Sequence, residues 1–237
     1  MSAVIAAVCA VVVFVMLYPG DYKNICGGRE LFILLTSVDV VLGPLLTFTV
    51  FSPKKSKREL TKDLSVVALL QIAALMYGLW TVYVARPVYL VHEVDRFQVV
   101  TATDLDPTEI AEALPEFRTP PRWGVEVIGV RQARSEEEKL KSLDQALAGR
   151  DVAMRPGWWV PLGAQHIEIM TQKGKPLSLL KSRKGYDNDR VEGMLRSSNL
   201  KDTDVLAFPV VARNTSWSVL VDVKSLRPIG FVPVDGF

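Results

Sequence analysis

The chain carries two histidines, His92 and His166, and each has a carboxylate close by, Glu93 and Glu168. Two imidazoles with a carboxylate are a ligand set that zinc accepts. On a strand, His166 and Glu168 would share a face, because side chains two apart point the same way. Their spacing fits no established metal motif, so no metal site is expected. There is no G-x-S-x-G turn and no phosphate-binding Walker loop. The only cysteines, Cys9 and Cys26, fall in the first part of the chain, away from both histidines. No catalytic residue, cofactor or enzymatic activity is expected from these patterns.

A different kind of chemistry is suggested by Asp39. It lies well inside an apolar run, residues 31–51, of sequence LFILLTSVDVVLGPLLTFTVF. About twenty residues suffice for a helix to cross a bilayer, and an acid within such a span points to function or to a partner. One central Asp costs about 2.5–3.5 kcal/mol, which a dozen or more strongly apolar residues at about −0.3 to −0.6 kcal/mol each outweigh. Thr36, Asp39, Gly43 and Thr47 recur at helical spacing and form one stripe. Pro44 has no N–H for the carbonyl of Val40, so a bend is expected there. A second stripe, Gln71, Ala74, Gly78 and Thr81, lies in the next apolar run, with Ala74 and Gly78 at small-xxx-small spacing. The two stripes are expected to pack together as a helix-docking or structural surface.

These stripes need elements to carry them. The chain has 237 residues, a net charge of +2 and a mean hydropathy of +0.21. Its apolar residues concentrate in three runs, read as helices at about 2–18, 31–51 and 64–85. Residues 19–30 read as a short polar loop with Gly20, Gly27 and Gly28 as turn residues. Residues 52–63 hold Lys54, Lys55, Lys57, Arg58 and Lys62, a cytoplasmic signal under the positive-inside rule. Tyr77, Trp80 and Tyr83 gather at the opposite end of the third run, as interfacial aromatics do. Arg86-Pro87 closes it. The expected topology is an amino terminus inside and everything after Arg86 outside. The small net charge and the lack of a groove-reading motif argue against nucleic acid as a partner.

Residues 87–237 are polar enough for a water-soluble domain with its own core. Residues 88–100 are rich in β-branched and aromatic residues and read as one strand. Ser135 and Glu138 form a capping box before a helix that reaches Ala148, with Gly149 as its stop. That helix has its apolar positions at Leu140, Leu143, Ala146 and Leu147. Trp158 and Trp159 belong either to the core or to a membrane contact. A helix is expected at 187–196, a hairpin from 205–212 and 216–223, and a last strand at 229–234. The fold expected is α+β: an amino-terminal three-helix transmembrane bundle over residues 1–86, then a mixed α/β soluble domain, 87–237, with a mainly antiparallel sheet.

Several of these residues also carry a family resemblance. The run from Val38 through Asp39, Leu42, Gly43, Pro44 and Thr47, the basic loop ending at Asp63-Leu64, then Gln71, Tyr77-Gly78 and Arg86-Pro87-Val88-Tyr89, resembles the TfpX/TfpZ type IV pilin accessory proteins. The match covers residues 18–100 closely and the rest diffusely. Such proteins open with a few basic residues before the first span, whereas this chain opens at Met1-Ser2. The resemblance implies a multi-pass bacterial inner-membrane protein with a periplasmic domain. It implies a non-enzymatic role in type IV pilus assembly or pilin dynamics. Its partners would be the major pilin or the assembly machinery, and the lipid bilayer. Apart from the resemblance, a membrane-anchored periplasmic sensor or ligand-binding module remains an alternative.

Overall fold

Tyr18 closes the first apolar run, and Tyr22, Ile25 and Cys26 continue its helix face into the stretch 19–30 that reads as a polar loop. In the computed structural model, which describes residues 3–50, 56–213 and 216–236, all four are buried. They pack with Val13 and Leu17 against Leu90, Phe97, Val99, Phe208 and Val210 of the sheet. The short helix α2 (Tyr22–Ile25) follows the first helical stretch, α1 (Ala3–Val11), which runs on into a π-helical segment, Val12–Leu17. Two glycines allow the approach. A Cβ on Gly28 would lie 2.5 Å from the Tyr18 ring, and one on Gly27, at φ +75°, 2.5 Å from Arg213. Asp21 is tied to Arg190 at 2.6 Å.

The second apolar run forms α3 (Gly28–Val50) and the third forms α4 (Lys57–Val84). Helix α3 is continuous through Pro44. Helix α4 starts seven residues before the expected 64, because Ser56 and Glu59 form a capping box. The Glu59 N–H donates to Ser56 Oγ at 3.3 Å, and the Ser56 N–H to Glu59 Oε2 at 3.0 Å. These bonds satisfy donors that a helix start would leave orphaned. Helices α3 and α4 pack on each other, and the connection between them, with Lys54 and Lys55, lies outside the described residues.

The three-helix transmembrane bundle does not form as expected. Among the described residues, one helix, Lys57–Val84, is long and apolar enough to cross a membrane. The first run yields only the shorter apolar helix Ile5–Leu17. At 1.5 Å per residue it reaches about 20 Å, against a hydrocarbon core of about 30 Å. Its last turn is also drawn into the protein core, where Val13, Leu17 and Tyr18 are buried.

The rest of the chain builds a curled sheet of eight strands in the order β4-β3-β1-β2-β6-β7-β8, with β5 also on β6. The strands are β1 (Pro87–His92), β2 (Phe97–Thr101), β3 (Glu126–Val130), β4 (Trp159–Val160), β5 (Lys175–Pro176), β6 (Val205–Val211), β7 (Trp217–Asp222) and β8 (Arg227–Val232). The single strand expected over 88–100 is therefore two, β1 and β2, paired antiparallel. They turn where four polar or exposed residues follow one another: the Glu93 N–H donates to Arg96 O, and Arg96 Nε to Glu93 Oε2 at 2.8 Å. The sheet is mixed, not mainly antiparallel, because β1–β3 and β2–β6 are parallel. The β1–β2 hairpin sits at the centre, and both flanking strands arrive by long connections that contain helices, among them the short α5 (Pro107–Ile110) before β3 and α8 (Leu177–Lys181) before β6. Such crossovers permit parallel pairing where a tight turn does not.

Both sheet faces are covered, so β1 is buried at every position, as central strands are. One face takes the amino-terminal segment and Met170 of α7 (Ala164–Lys173). The other packs Tyr89, Val91 and Ile128 with Phe117 and Trp159. Trp159 is core, while Trp158 lies under the Arg131 guanidinium. The hairpin β6–β7 and β8 form close to the expected positions. So does α9 (Asn188–Ser198), capped by Asp187. Helix α6 (Glu136–Leu147) forms as well, but Leu140, Leu143 and Leu147 face outward. Its inward position is Ser142, whose hydroxyl and carbonyl accept from the buried Arg155.

The close approach at Gly28 is testable. Gly28→Ala forces the Tyr18 ring from its place and is expected to destabilise by about 1–3 kcal/mol, read as a lower Tm in detergent. Gly193→Ala, in α9 with nothing within 4 Å of the new Cβ, is expected to leave Tm unchanged or raise it, by up to about 1 kcal/mol.

Candidate helix-docking surface

The helices that carry the two polar stripes are apolar on nearly all sides. Ile33, Leu34, Val40, Val41, Leu45 and Phe48 of α3 are exposed, and Phe48 is 84% so. On α4 the exposed residues include Leu69, Leu70, Ile72, Met76, Tyr77 and Trp80. Only 11% of the apolar window of α4 is buried. A helix apolar all round needs lipid or other helices about it.

The stripes meet at one defined place. Gly43 is buried, and a Cβ there would lie 3.0 Å from Gln71 Nε2. Gly43 thus lets the Gln71 amide lie against the backbone of α3. Thr47 Oγ1 donates to Gly43 O at 2.9 Å, which satisfies the hydroxyl within its own helix. Thr36 and Gly78 are half-buried, whereas Pro44 and Ala74 are exposed. The side chain of Asp39 lies outside the described residues. The arrangement can hold two helices at close range and present apolar surface to a third body.

At the base of the hairpin, Tyr18 packs on Gly28 and donates its hydroxyl to Val82 O at 3.3 Å. Arg86 follows α4 and is buried. Its guanidinium lies 3.9 Å from the centre of the Tyr83 ring and donates to Tyr83 O at 2.9 Å and Pro121 O at 3.1 Å. A cation at a helix carboxyl end also complements the helix dipole. Neither contact was foreseen from the sequence. The available signal was the helical spacing of Tyr22, Ile25 and Cys26 after Tyr18, within the stretch 19–30 read as a loop.

The histidines come together but not as a ligand set. His166 lies on α7, not on a strand, and Glu168 is exposed there, accepting from Gln172. Helix α7 begins at Ala164 after Gly163, whose N–H donates to His166 Nδ1 at 3.2 Å. That bond leaves the proton on Nε2, which faces Val130 O at 3.3 Å. The ring fills the space beside Gly129, the register partner of His92 on β3. The two imidazole centres are 5.8 Å apart, and His92 also packs on Phe97 and Phe208. Neither nitrogen of His92 has a hydrogen-bond partner among the described residues. Burial, and then the neighbouring His166, hold its pKa down to about 3. Burial likewise lowers that of His166. Glu93 instead accepts from Ala153 N–H and Arg96. Among the described residues no group of three His, Cys, Asp or Glu could hold a metal ion. Burial, then Asp104, pushes the Cys26 thiol up to about 12, which leaves it a poor nucleophile.

A sheet domain of this kind, bearing an exposed apolar helix pair, defines an α+β protein built to place a helix in an apolar environment. Comparison with known proteins is more specific. Across its whole length the chain is 34% identical to the fimbrial assembly protein of serogroup I from Dichelobacter nodosus, and it spans 92% of that protein. It is 33% identical to the serogroup E1 protein, again with the whole chain and 92% of the relative aligned. The protein of serogroups C1 and C2 matches 48% of this chain at 36% identity and is itself covered over 86%. No family model and no solved structure matches. The chain belongs to the family of fimbrial assembly proteins. Its apolar helix and these relatives are together consistent with membrane association.

Two outcomes follow from this geometry. Gly43→Leu pushes Gln71 away and is expected to cost about 1–3 kcal/mol, read as easier proteolysis between α3 and α4 in detergent. Unfolded histidine titrates near 6.5 and folded His92 near 3. Between those values the unfolded chain binds a proton that the folded one does not. The stability is therefore whole above pH 6.5 and is lost as pH falls toward 3. His92→Phe, close in shape and free of orphaned nitrogens, is expected to keep Tm near wild type at pH 7 and to flatten its fall between pH 6.5 and 4.

Proposed function

We propose that this protein is a non-enzymatic accessory of type IV pilus assembly, which acts in the bacterial inner membrane by binding pilin subunits or the assembly machinery. The observation that carries the reading is the full-length relationship to fimbrial assembly proteins. The TfpX/TfpZ resemblance of residues 18–100 supports the type IV assignment.

In this reading α4 crosses the bilayer, and α3, packed against it, crosses beside it. Lys57, Arg58 and Lys62 stand at the end away from the sheet. Positive residues favour the cytoplasmic side, so the sheet domain lies in the periplasm. The exposed faces of α3 and α4 then receive a helix from a pilin subunit, with the Gly43–Gln71 contact holding the pair in register. Helix association in lipid relies on close packing and a few polar contacts, which small residues allow.

The alternative of a ligand-binding module has one observation in its favour. A groove of about 910 Å3 lies between the β1–β2 turn, α6 and α7, with Arg96, Arg131, Arg134, Lys139 and Lys173 among its lining residues. The same lining carries Glu93, Asp95, Glu136 and Asp151, so a ligand of that groove would meet both donors and acceptors.

Deleting the gene tests the proposal. Surface pili are expected to fall when the retraction motor is active and to recover, in part or fully, when it is absent. Unchanged counts in both backgrounds would overturn it. A periplasm-active reporter fused after Val232 is expected to be active, and a cytoplasm-active one silent.

A further inference from the structure

Residues 118–124, Arg-Thr-Pro-Pro-Arg-Trp-Gly, contain two arginines, one tryptophan and no acid. The fold holds this loop at the point where the helices leave the sheet. Gly124 N–H donates to Met16 O at 2.9 Å, at the end of the first helical stretch. The buried Arg86 donates to Pro121 O while its guanidinium rests on Tyr83, in the last turn of α4. The loop is thus fastened to both helical exits. Trp123 is 53% exposed, and Arg118 and Arg122 are exposed as well. On α4, Tyr77 and Trp80 are also exposed, and Trp80 stacks near Tyr83 at 6.4 Å between ring centres.

We infer that residues 118–124 form an interfacial foot, which seats Trp123 at the headgroup level of the bilayer and sets Arg118 and Arg122 against lipid phosphates. The inference rests on the membrane placement proposed above and adds a second contact to it. Tryptophan favours that depth because its ring is apolar and its N–H is polar. Arginine pairs well with phosphate oxygens, and anionic lipid attracts basic residues close to the surface. The exposure of Trp123 is thereby explained: in water it would be an apolar ring held out on a proline-stiffened loop. Arg86 acts as a positioning residue, since it touches Pro121 and not the lipid. The sheet domain is packed on the base of the α3–α4 hairpin through Tyr18, so it moves with the helices. A foot beside the exit fixes its tilt, and with it the face shown to a partner in the bilayer.

The test uses the full chain reconstituted in phosphatidylcholine vesicles with and without phosphatidylglycerol. An environment-sensitive fluorophore is placed on a single new cysteine at Trp123→Cys, Leu70→Cys or Leu147→Cys. Cys9 and Cys26 are buried, and the parent protein controls for their labelling. Position 123 is expected to show a blue shift and stronger quenching by lipids spin-labelled near the headgroup than by those labelled deep. Position 70, on α4, should be quenched by the deep label. Position 147, on α6, should stay water-like. Arg118→Gln with Arg122→Gln should abolish the extra shift at 123 that phosphatidylglycerol produces. If 123 is as water-like as 147 while 70 is quenched, the foot is wrong and the membrane placement stands. If 70 is water-like too, both fall.

Discussion

The Tyr18 ring is the joint on which the molecule turns. It is buried, it lies on Gly28 where α3 begins, and its hydroxyl reaches Val82 O where α4 ends. One side chain thus touches both legs of the helical hairpin at its base. Burying such a ring contributes about 1.5–3 kcal/mol. Its position matters more than that figure. It obliges Gly28 to lack a side chain, and it draws the segment before it into the sheet core.

That segment explains why the helices and the sheet are one packing unit. Val13, Leu17, Tyr22, Ile25 and Cys26 occupy the sheet face that also holds Leu90, Phe97 and Phe208. The Asp21–Arg190 pair extends the tie to α9. Residues before the apolar hairpin and residues after it therefore share a core. A load on the hairpin would be felt in the sheet through packed side chains, not through a free linker.

The centre of the sheet follows a similar logic of space and fit. Gly129 has no side chain, so the His166 ring takes the place beside it and meets His92. His92 is buried between Phe97, Phe208 and the His166 ring, which keeps it neutral. Its chemistry is that of an aromatic core residue sensitive to acid, distinct from that of a metal ligand or general base. The surface with functional potential is instead the broad apolar area of α3 and α4, together with the basic, tryptophan-bearing loop at their exit.

Local sequence patterns determined much of the chain. The apolar runs, the Ser135 cap, the β6–β7 hairpin and α9 depend on neighbours in sequence, and the Gly43 and Gln71 stripes could be picked out by helical spacing. The tertiary structure alone decided what lay between distant residues. Whether residues 19–26 were loop or core depended on Leu90 and Phe208, far along the chain. The parallel joins of β1 to β3 and β2 to β6 depended on where long crossovers return. Whether α6 showed its leucines or hid them depended on Arg155 needing the Ser142 oxygens. Periodicity reports what each segment prefers to bury. It does not name the surface that does the burying, because that surface is assembled only when the whole chain has folded.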